Sequence, residues 1–142
     1  MRILAIDYGE KRVGIAISDE DQKIAFPLET FCFKKKNNFE EFWQFLTEIA
    51  SKYQRKIMII VGNPIWVNNC QSKTQMSVLS FFNFLVNKKE FNVQMYDERF
   101  TTKIAINYFR HFGIDSKKYK KLIDAVSAAI ILQEYLDNCI QR

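Results

Sequence analysis

The fold is decided by the segment Ile3-Leu4-Ala5-Ile6-Asp7-Tyr8-Gly9-Glu10-Lys11-Arg12-Val13-Gly14-Ile15-Ala16-Ile17-Ser18. The apolar run before Asp7 predicts a buried strand, and residues 13–18 predict a second strand after a tight turn. Residues 24–33 predict a third strand, and Pro27 within it favours an edge position because proline cannot donate to a strand ladder. Three strands joined by short turns predict an antiparallel meander.

After residue 37 the apolar residues change from strand spacing to helical spacing. Asn38 is a good N-cap, with Glu41 at the reciprocal position of a capping box. The elements predicted from here on are, in chain order, a helix over 39–53, a strand Ile57–Val61, a helix through Met76–Val86, a strand Val93–Tyr96, a helix that begins at Thr101 or Thr102 and ends at Gly113, an exposed loop Asp115–Lys121 and a helix Leu122–Asn138. This order predicts an α/β fold, a single domain over 1–142 with a five-stranded mixed sheet and helices on both faces.

Composition narrows the classes of function. The chain carries a net charge of +5 with a pI near 9.1, which hints at an anionic partner. Its single histidine, His111, argues against His-rich metal sites and against a Ser-His-Asp hydrolase. The cysteines lie at unrelated spacings, so we expect free thiols. The sequence has no apolar run long enough to cross a membrane and no signal-peptide pattern, so we expect a cytoplasmic protein.

Three acidic residues stand where an acid is least expected. Asp7 and Glu98 each follow a predicted buried strand, and Asp124 interrupts an otherwise apolar helix start. We expect Asp7 and Glu98 at the carboxyl ends of neighbouring strands. We expect Asp124 in a first helical turn, where the helix dipole favours negative charge. Buried carboxylates need partners, and a shared Mg²⁺ or Mn²⁺ would satisfy all three because these ions prefer oxygen ligands.

Each acid also has an ordinary structural interpretation. Asp7 could be a turn residue, and Asp124 could face solvent at a helix start. Asp97 and Glu98 could be exposed acids paired with Arg99. Taken together, the three acids favour a metal site, and two ions about 4 Å apart can activate a water for phosphodiester cleavage.

Three motifs resemble those of the YqgF/RuvX family. They are Asp7-Tyr8-Gly9-Glu10-Lys11-Arg12-Val13-Gly14-Ile15-Ala16-Ile17-Ser18-Asp19, Asp97-Glu98-Arg99-Phe100-Thr101-Thr102 and Ile123-Asp124-Ala125-Val126-Ser127-Ala128-Ala129-Ile130-Ile131-Leu132-Gln133. The resemblance covers nearly the whole chain. It implies an RNase H-like fold related to RuvC-type Holliday junction resolvases, and a nuclease that matures the 5′ end of the 16S ribosomal RNA precursor. It makes Asp7, Glu98 and Asp124 the catalytic, metal-binding acids, with Asp97 as the alternative to Glu98.

One segment departs from the family pattern. The family usually follows its central strand with Gly-Leu-Pro and a glycine-containing loop. Here the sequence is Gly62-Asn63-Pro64-Ile65-Trp66-Val67-Asn68-Asn69-Cys70, with no further glycine. Because of this departure, whether the loop contacts substrate stays an open question. The three acids lie outside the loop.

Eight basic residues are candidates for contact with nucleic acid. They are Lys11 and Arg12 after the first acid, Arg99 and Lys103 around the second, and Lys117, Lys118, Lys120 and Lys121, which surround Tyr119 before the third. Basic residues around an aromatic ring suit phosphate contact combined with base stacking. Each set could also lie on an ordinary solvated surface.

The expected substrate is precursor ribosomal RNA, free or in ribosomal precursor particles, and the expected assembly is a monomer or a homodimer. A nuclease for branched DNA is the alternative, and such resolvases cut two strands symmetrically as dimers. A non-catalytic RNA-binding assembly factor is disfavoured because all three acids are present. A sugar-kinase-like ATPase would need two such domains around its nucleotide.

Overall fold

The structure, a computed structural model, describes residues 1–35, 38–64, 73–98 and 116–139. Its elements are, in chain order, β1 (Arg2–Tyr8), β2 (Arg12–Ser18), β3 (Ala25–Cys32), α1 (Phe39–Lys52), β4 (Ile57–Pro64), α2 (Lys73–Lys88), β5 (Asn92–Glu98) and α3 (Ser116–Cys139). All but the last lie where the sequence predicts them. The helix predicted between Thr101 and Gly113 lies outside the described residues. No helix in the described ranges is long and apolar enough to cross a membrane.

The five strands form one mixed sheet in the order β3-β2-β1-β4-β5. β1 pairs antiparallel with β2, and β2 with β3, so the predicted meander is confirmed. β4 pairs in parallel with β1 on one side and with β5 on the other. Pro27 lies on the edge strand β3 at a register shift opposite Ala16, a place where a missing N–H is tolerated.

Helix α3 is longer than the sequence predicts. It begins at Ser116, whereas the sequence predicts an exposed loop over Asp115–Lys121 and a helix from Leu122. The prediction was wrong for residues 116–121 because it relied on apolar periodicity. A lysine-rich segment carries no such signal, although lysine is a good helix former.

Each face of the sheet is covered by helices and carries its own buried cluster. On one face, which we call the aromatic face, α1 and α2 pack on a cluster that includes Phe42, Phe81 and Tyr8, with Tyr8 stacked on Phe81. On the opposite face, which we call the α3 face, the buried residues are Ile3, Ala5, Ala16, Ile60, Ala128, Ala129, Ile131, Leu132 and Leu136. The predicted placement of helices on both faces is confirmed.

Helix α3 rests directly on the backbone of β2 at Gly14. A Cβ atom on Gly14 would lie 1.8 Å from the main-chain oxygen of Asp124 and 2.8 Å from the main-chain nitrogen of Ala125. No L side chain fits in that space, so only glycine allows the helix backbone to come this close. Ala125 and Ala128 are fully buried beside this contact, in keeping with their small size.

Gln133 fixes the second half of α3. Its side-chain oxygen accepts a hydrogen bond from the main-chain N–H of Ala25 at 2.9 Å, and its side-chain nitrogen donates to the main-chain oxygen of Lys23 at 2.9 Å. These two bonds join the helix to the start of β3 and fix its position along its own axis. Together with the contact on Gly14, they determine where Asp124 stands on the sheet.

We predict that Gly14→Ala lowers the free energy of unfolding by about 2 kcal/mol or more, because the added methyl group meets helix backbone that cannot rotate away. Urea unfolding followed by circular dichroism measures the effect. Ala16→Gly, two residues along the same strand face, is the matched control and should cost about 1 kcal/mol. An alanine variant within about 0.5 kcal/mol of the wild type would contradict the close contact.

Candidate metal centre

Asp7 lies in β1, one residue before the end of the strand. Side chains alternate between the two faces of a strand, so Asp7 shares the α3 face with Ile3 and Ala5. Its side chain is half-buried. The sequence places Asp7 directly after a strand, whereas the structure extends β1 through Asp7 to Tyr8.

Both strands beside β1 offer a glycine next to Asp7. Gly14 of β2 is its antiparallel partner. On the other side, Gly62 of β4 lies one residue beyond the parallel pair Ile6–Val61. A glycine has no side chain, and on the Gly14 side the α3 main chain at Asp124 occupies that space, so the helix backbone lies next to the strand position of Asp7.

Asp124 lies above Gly14, and the shared glycine brings it to Asp7. The main-chain oxygen of Asp124 sits where a Gly14 side chain would begin, and the backbones of antiparallel partners such as Gly14 and Asp7 are only about 5 Å apart. The expected role of the helix dipole was wrong, because α3 begins at Ser116 and Asp124 therefore lies beyond its first turn. Packing on Gly14, and not the helix end, places this carboxylate.

The Asp124 carboxylate is incompletely compensated. Its Oδ2 atom is buried and accepts no hydrogen bond of good geometry from any of the described residues. The Arg12 Nε atom is 3.1 Å from Oδ2, and the Arg12 side chain is 51% exposed, so this ion pair is well solvated on one side. Burial raises the pKa of the Asp124 carboxyl, and attraction by Arg12 offsets only part of that increase. The negative charge is therefore held at a cost.

Asp97 and Glu98 lie at the end of β5 on opposite faces by strand alternation. Asp97 lies on the same strand face as Met95, which packs on the aromatic face. The exposed Oδ1 atom of Asp97 accepts a hydrogen bond from Asn63 Nδ2 at 2.9 Å. Glu98 has the parity of Tyr96, which packs on the α3 face. The Glu98 side chain lies outside the described residues, so its strand position alone can be compared with those of Asp7 and Asp124.

Asp7 and Glu98 do not lie on neighbouring strands, so that expectation was wrong. β4 lies between β1 and β5, which separates the two backbones by about 10 Å. The sequence gives the order of strands along the chain but not their order in the sheet.

Within the described residues, no group of three His, Cys, Asp or Glu side chains is close enough to hold an ion. The two aspartates nevertheless fit a divalent cation. The buried Oδ2 atom of Asp124 has the half-exposed Arg12 guanidinium as its cationic partner among the described residues, and carboxylate oxygens are the ligands that hard cations prefer. Asp7 and Asp124 are therefore the two members of the predicted site whose side chains are described.

The predicted basic residues fall into three groups. Lys11 is exposed in the β1–β2 turn, and Arg12 begins β2 and pairs with Asp124. Arg99 and Lys103 lie outside the described residues. The backbones of Lys117, Lys118, Lys120 and Lys121 belong to the first turns of α3.

Two parts of the site were missed at the level of sequence. The first is Gly14, and its place seven residues after Asp7 in the first motif was the available signal. The second is the ion pair between Arg12 and Asp124, which joins residues far apart in the chain and has no local signal.

We predict that Asp124→Asn raises the melting temperature of the metal-free protein by a few degrees at neutral pH. A carboxyl whose pKa is raised on folding contributes less stability as the pH rises from its ordinary value of 3.8 through the folded value. The asparagine variant loses this pH dependence, so the melting temperatures of the two proteins should become equal below pH 4. Differential scanning calorimetry from pH 3 to 8 measures both melting temperatures. A variant less stable than the wild type at pH 7 would show that Arg12 fully compensates the charge.

Two solved structures resemble this chain in fold. RuvC of T. thermophilus, in complex with a Holliday junction substrate, aligns with a TM-score of 0.56 and 15% identity, covering 96% of this chain and 95% of that one. The Fowlpox virus resolvase, in complex with Holliday junction DNA, aligns with a TM-score of 0.57 and 15% identity, covering 99% and 100%. At this identity the likeness shows the fold alone, and the predicted RNase H-like fold is confirmed.

Sequence relatives cover nearly the whole chain. A protein of Ruminiclostridium cellulolyticum named "Putative pre-16S rRNA nuclease" is 36% identical over 137 residues, which are 96% of this chain and 94% of that protein. A Mycoplasma mobile protein of the same name is 37% identical over 141 residues, 97% and 93% of the two chains. A family model described as "RuvX: Holliday junction resolvase" matches residues 1–138. The chain therefore belongs to the RuvX family.

Proposed function

We propose that the chain is a metal-dependent nuclease, one domain over residues 1–142, that hydrolyses phosphodiester bonds and matures the 5′ end of precursor 16S rRNA. The observation that carries the proposal is the partly buried, under-compensated Asp124 carboxylate on a helix whose backbone rests on Gly14, the strand partner of Asp7. The names of the sequence relatives support precursor 16S rRNA as the substrate. This role places the protein in the cytoplasm, acting on rRNA precursors free or in ribosomal precursor particles.

The metal would be held by Asp7, Glu98 and Asp124. Bound Mg²⁺ or Mn²⁺ supplies a more acidic water and stabilises the leaving oxygen of the cleaved bond. The chain's own contribution would be to fix three negative charges on the α3 face of the sheet. The alternation of side chains along β5 favours Glu98 over Asp97 as the third ligand. The Asp97 carboxylate lies on the aromatic face and is hydrogen-bonded to Asn63.

The nucleic-acid backbone would be held by the basic residues around the three acids. Lys11 and Arg12 lie in or beside the turn after Asp7. Lys117, Lys118, Lys120 and Lys121 precede Asp124 by three to seven helical residues, which is roughly 5–10 Å along the helix axis. Arg99 and Lys103 follow the second acid in sequence and complete the proposed surface. Such residues position phosphates and add little to the chemical step itself.

A second candidate function is cleavage of four-way DNA junctions, which the description of the matching family favours. Symmetric cleavage of a junction requires two active sites and therefore a homodimer. A nuclease that trims one RNA end needs a single active site and can act as a monomer. The mass of the protein in solution therefore bears on the choice between the two.

The test is a cleavage assay with two substrates. Purified protein is incubated with 5′-extended 16S rRNA precursor and with a four-way DNA junction, each with Mg²⁺, Mn²⁺ or EDTA. We expect the rRNA precursor to be shortened at its 5′ end, EDTA to stop the reaction, and the junction to stay intact. Preferential cleavage of the junction would establish the second candidate. Cleavage of neither substrate with either ion would contradict both.

Variants in the same assay test the assignment of the acids. Asp7→Asn and Glu98→Gln keep the size of the side chain but remove the charge that a cation needs, so each should lower the cleavage rate by orders of magnitude. Asp97→Asn is the matched control and should keep a substantial part of the activity. If Asp97→Asn loses cleavage by orders of magnitude while Glu98→Gln stays active, the other strand face carries the ligand.

A further inference from the structure

In the part of the chain that the structure describes, Arg12 is the cation paired with the candidate metal ligand Asp124. It is the first residue of β2, two residues before Gly14, so both residues lie on the α3 face of the strand. Arg12 is therefore next to the place where α3 crosses β2 at Gly14. Its Nε atom is 3.1 Å from Asp124 Oδ2. About half of the Arg12 side chain is in contact with solvent, and an ion pair of this exposure contributes little and opens at little cost.

The Arg12 guanidinium and a metal cation would compete for the same oxygen atom. An ion bound to Asp124 Oδ2 would lie about 2 Å from it, and thus within a few ångströms of the guanidinium. Like charges at that separation repel strongly in a partly buried site. Occupation of Asp124 by a divalent cation therefore favours release of Arg12.

A released Arg12 would be free to bind a phosphate of a nucleic-acid strand that contacts the cation. The guanidinium is planar, keeps its charge at any physiological pH, and matches the geometry of a phosphate group through two parallel N–H donors. Its long side chain is half-exposed at the end of β2 and can turn outward without disturbing the strand.

We propose that Arg12 is an exchangeable counter-ion. It neutralises Asp124 while the site lacks metal and nucleic acid, leaves that carboxylate when a divalent cation binds, and then holds a phosphate of the bound strand. The proposal rests on the proposed nuclease function. It makes Arg12 a positioning residue that couples the two ligands, so metal raises the affinity for nucleic acid and nucleic acid raises the affinity for metal by the same factor.

The first measurement is Mn²⁺ binding without nucleic acid, by isothermal titration calorimetry. Arg12→Gln removes the competing cation and should bind Mn²⁺ about two- to five-fold more tightly, the change that an ion pair of roughly 0.5–1 kcal/mol converts to. Arg12→Lys keeps the positive charge but pairs less well with the carboxylate, so its affinity for Mn²⁺ should lie between those of Arg12→Gln and the wild type. Lys11→Gln removes the same charge from the adjacent exposed position and is the matched control, with a smaller change expected.

The second measurement is the affinity for a fluorescent single-stranded RNA oligonucleotide, with and without Mn²⁺, at a temperature where cleavage is slow. Without Mn²⁺, Arg12 is engaged by Asp124, so Arg12→Gln should bind RNA within about two-fold of the wild type. With Mn²⁺, the variant should bind about ten-fold more weakly, because it lacks a charge-assisted hydrogen bond to phosphate. A purely structural role for Arg12 would lower the RNA affinity equally in both conditions.

Asp124→Asn separates failure of this inference from failure of the proposed function. If Asp124→Asn loses Mn²⁺ binding while Arg12→Gln binds Mn²⁺ no more tightly than Lys11→Gln, the exchange is overturned and the metal site stands. If Asp124→Asn binds Mn²⁺ as well as the wild type, or the wild type binds none, the metal site and the exchange are overturned together. Circular dichroism of each variant verifies that it is folded.

Discussion

The contact of the α3 backbone with Gly14 is the constraint on which the candidate site depends. A side chain at this position would overlap the main chain of Asp124, so the helix can lie at this depth only above glycine. Because Gly14 is also the strand partner of Asp7, one close approach between backbones brings together two acids that are distant in sequence. Gln133 then fixes the helix along its axis, so the carboxylate has a defined position.

This arrangement carries an energetic cost that has a functional meaning. The same packing that positions Asp124 takes its Oδ2 atom out of water, and the exposed Arg12 compensates the charge only in part. A protein selected for stability alone would be better served by a neutral side chain here. Retention of a charged group in such surroundings is typical of sites that bind a ligand of opposite charge.

The sequence predicts much of this structure because its signals are local. Apolar runs and turns locate the strands around Asp7, and Pro27 correctly indicates an edge strand. Three features have no local signal. The position of β4 between β1 and β5 is a property of the whole sheet, the lysine-rich start of α3 has no apolar periodicity, and the pairing of Arg12 with Asp124 joins the two ends of the chain.

The central claim is that Asp7 and Asp124 are ligands of one divalent-cation site on the α3 face of the sheet. Anomalous diffraction from crystals soaked in Mn²⁺ tests it most directly, since it locates the ion without reference to activity. We expect a Mn²⁺ peak within about 2–2.5 Å of a carboxylate oxygen of both residues, close to Gly14. A peak at another place, with Asp124 still paired to Arg12 alone, would contradict it.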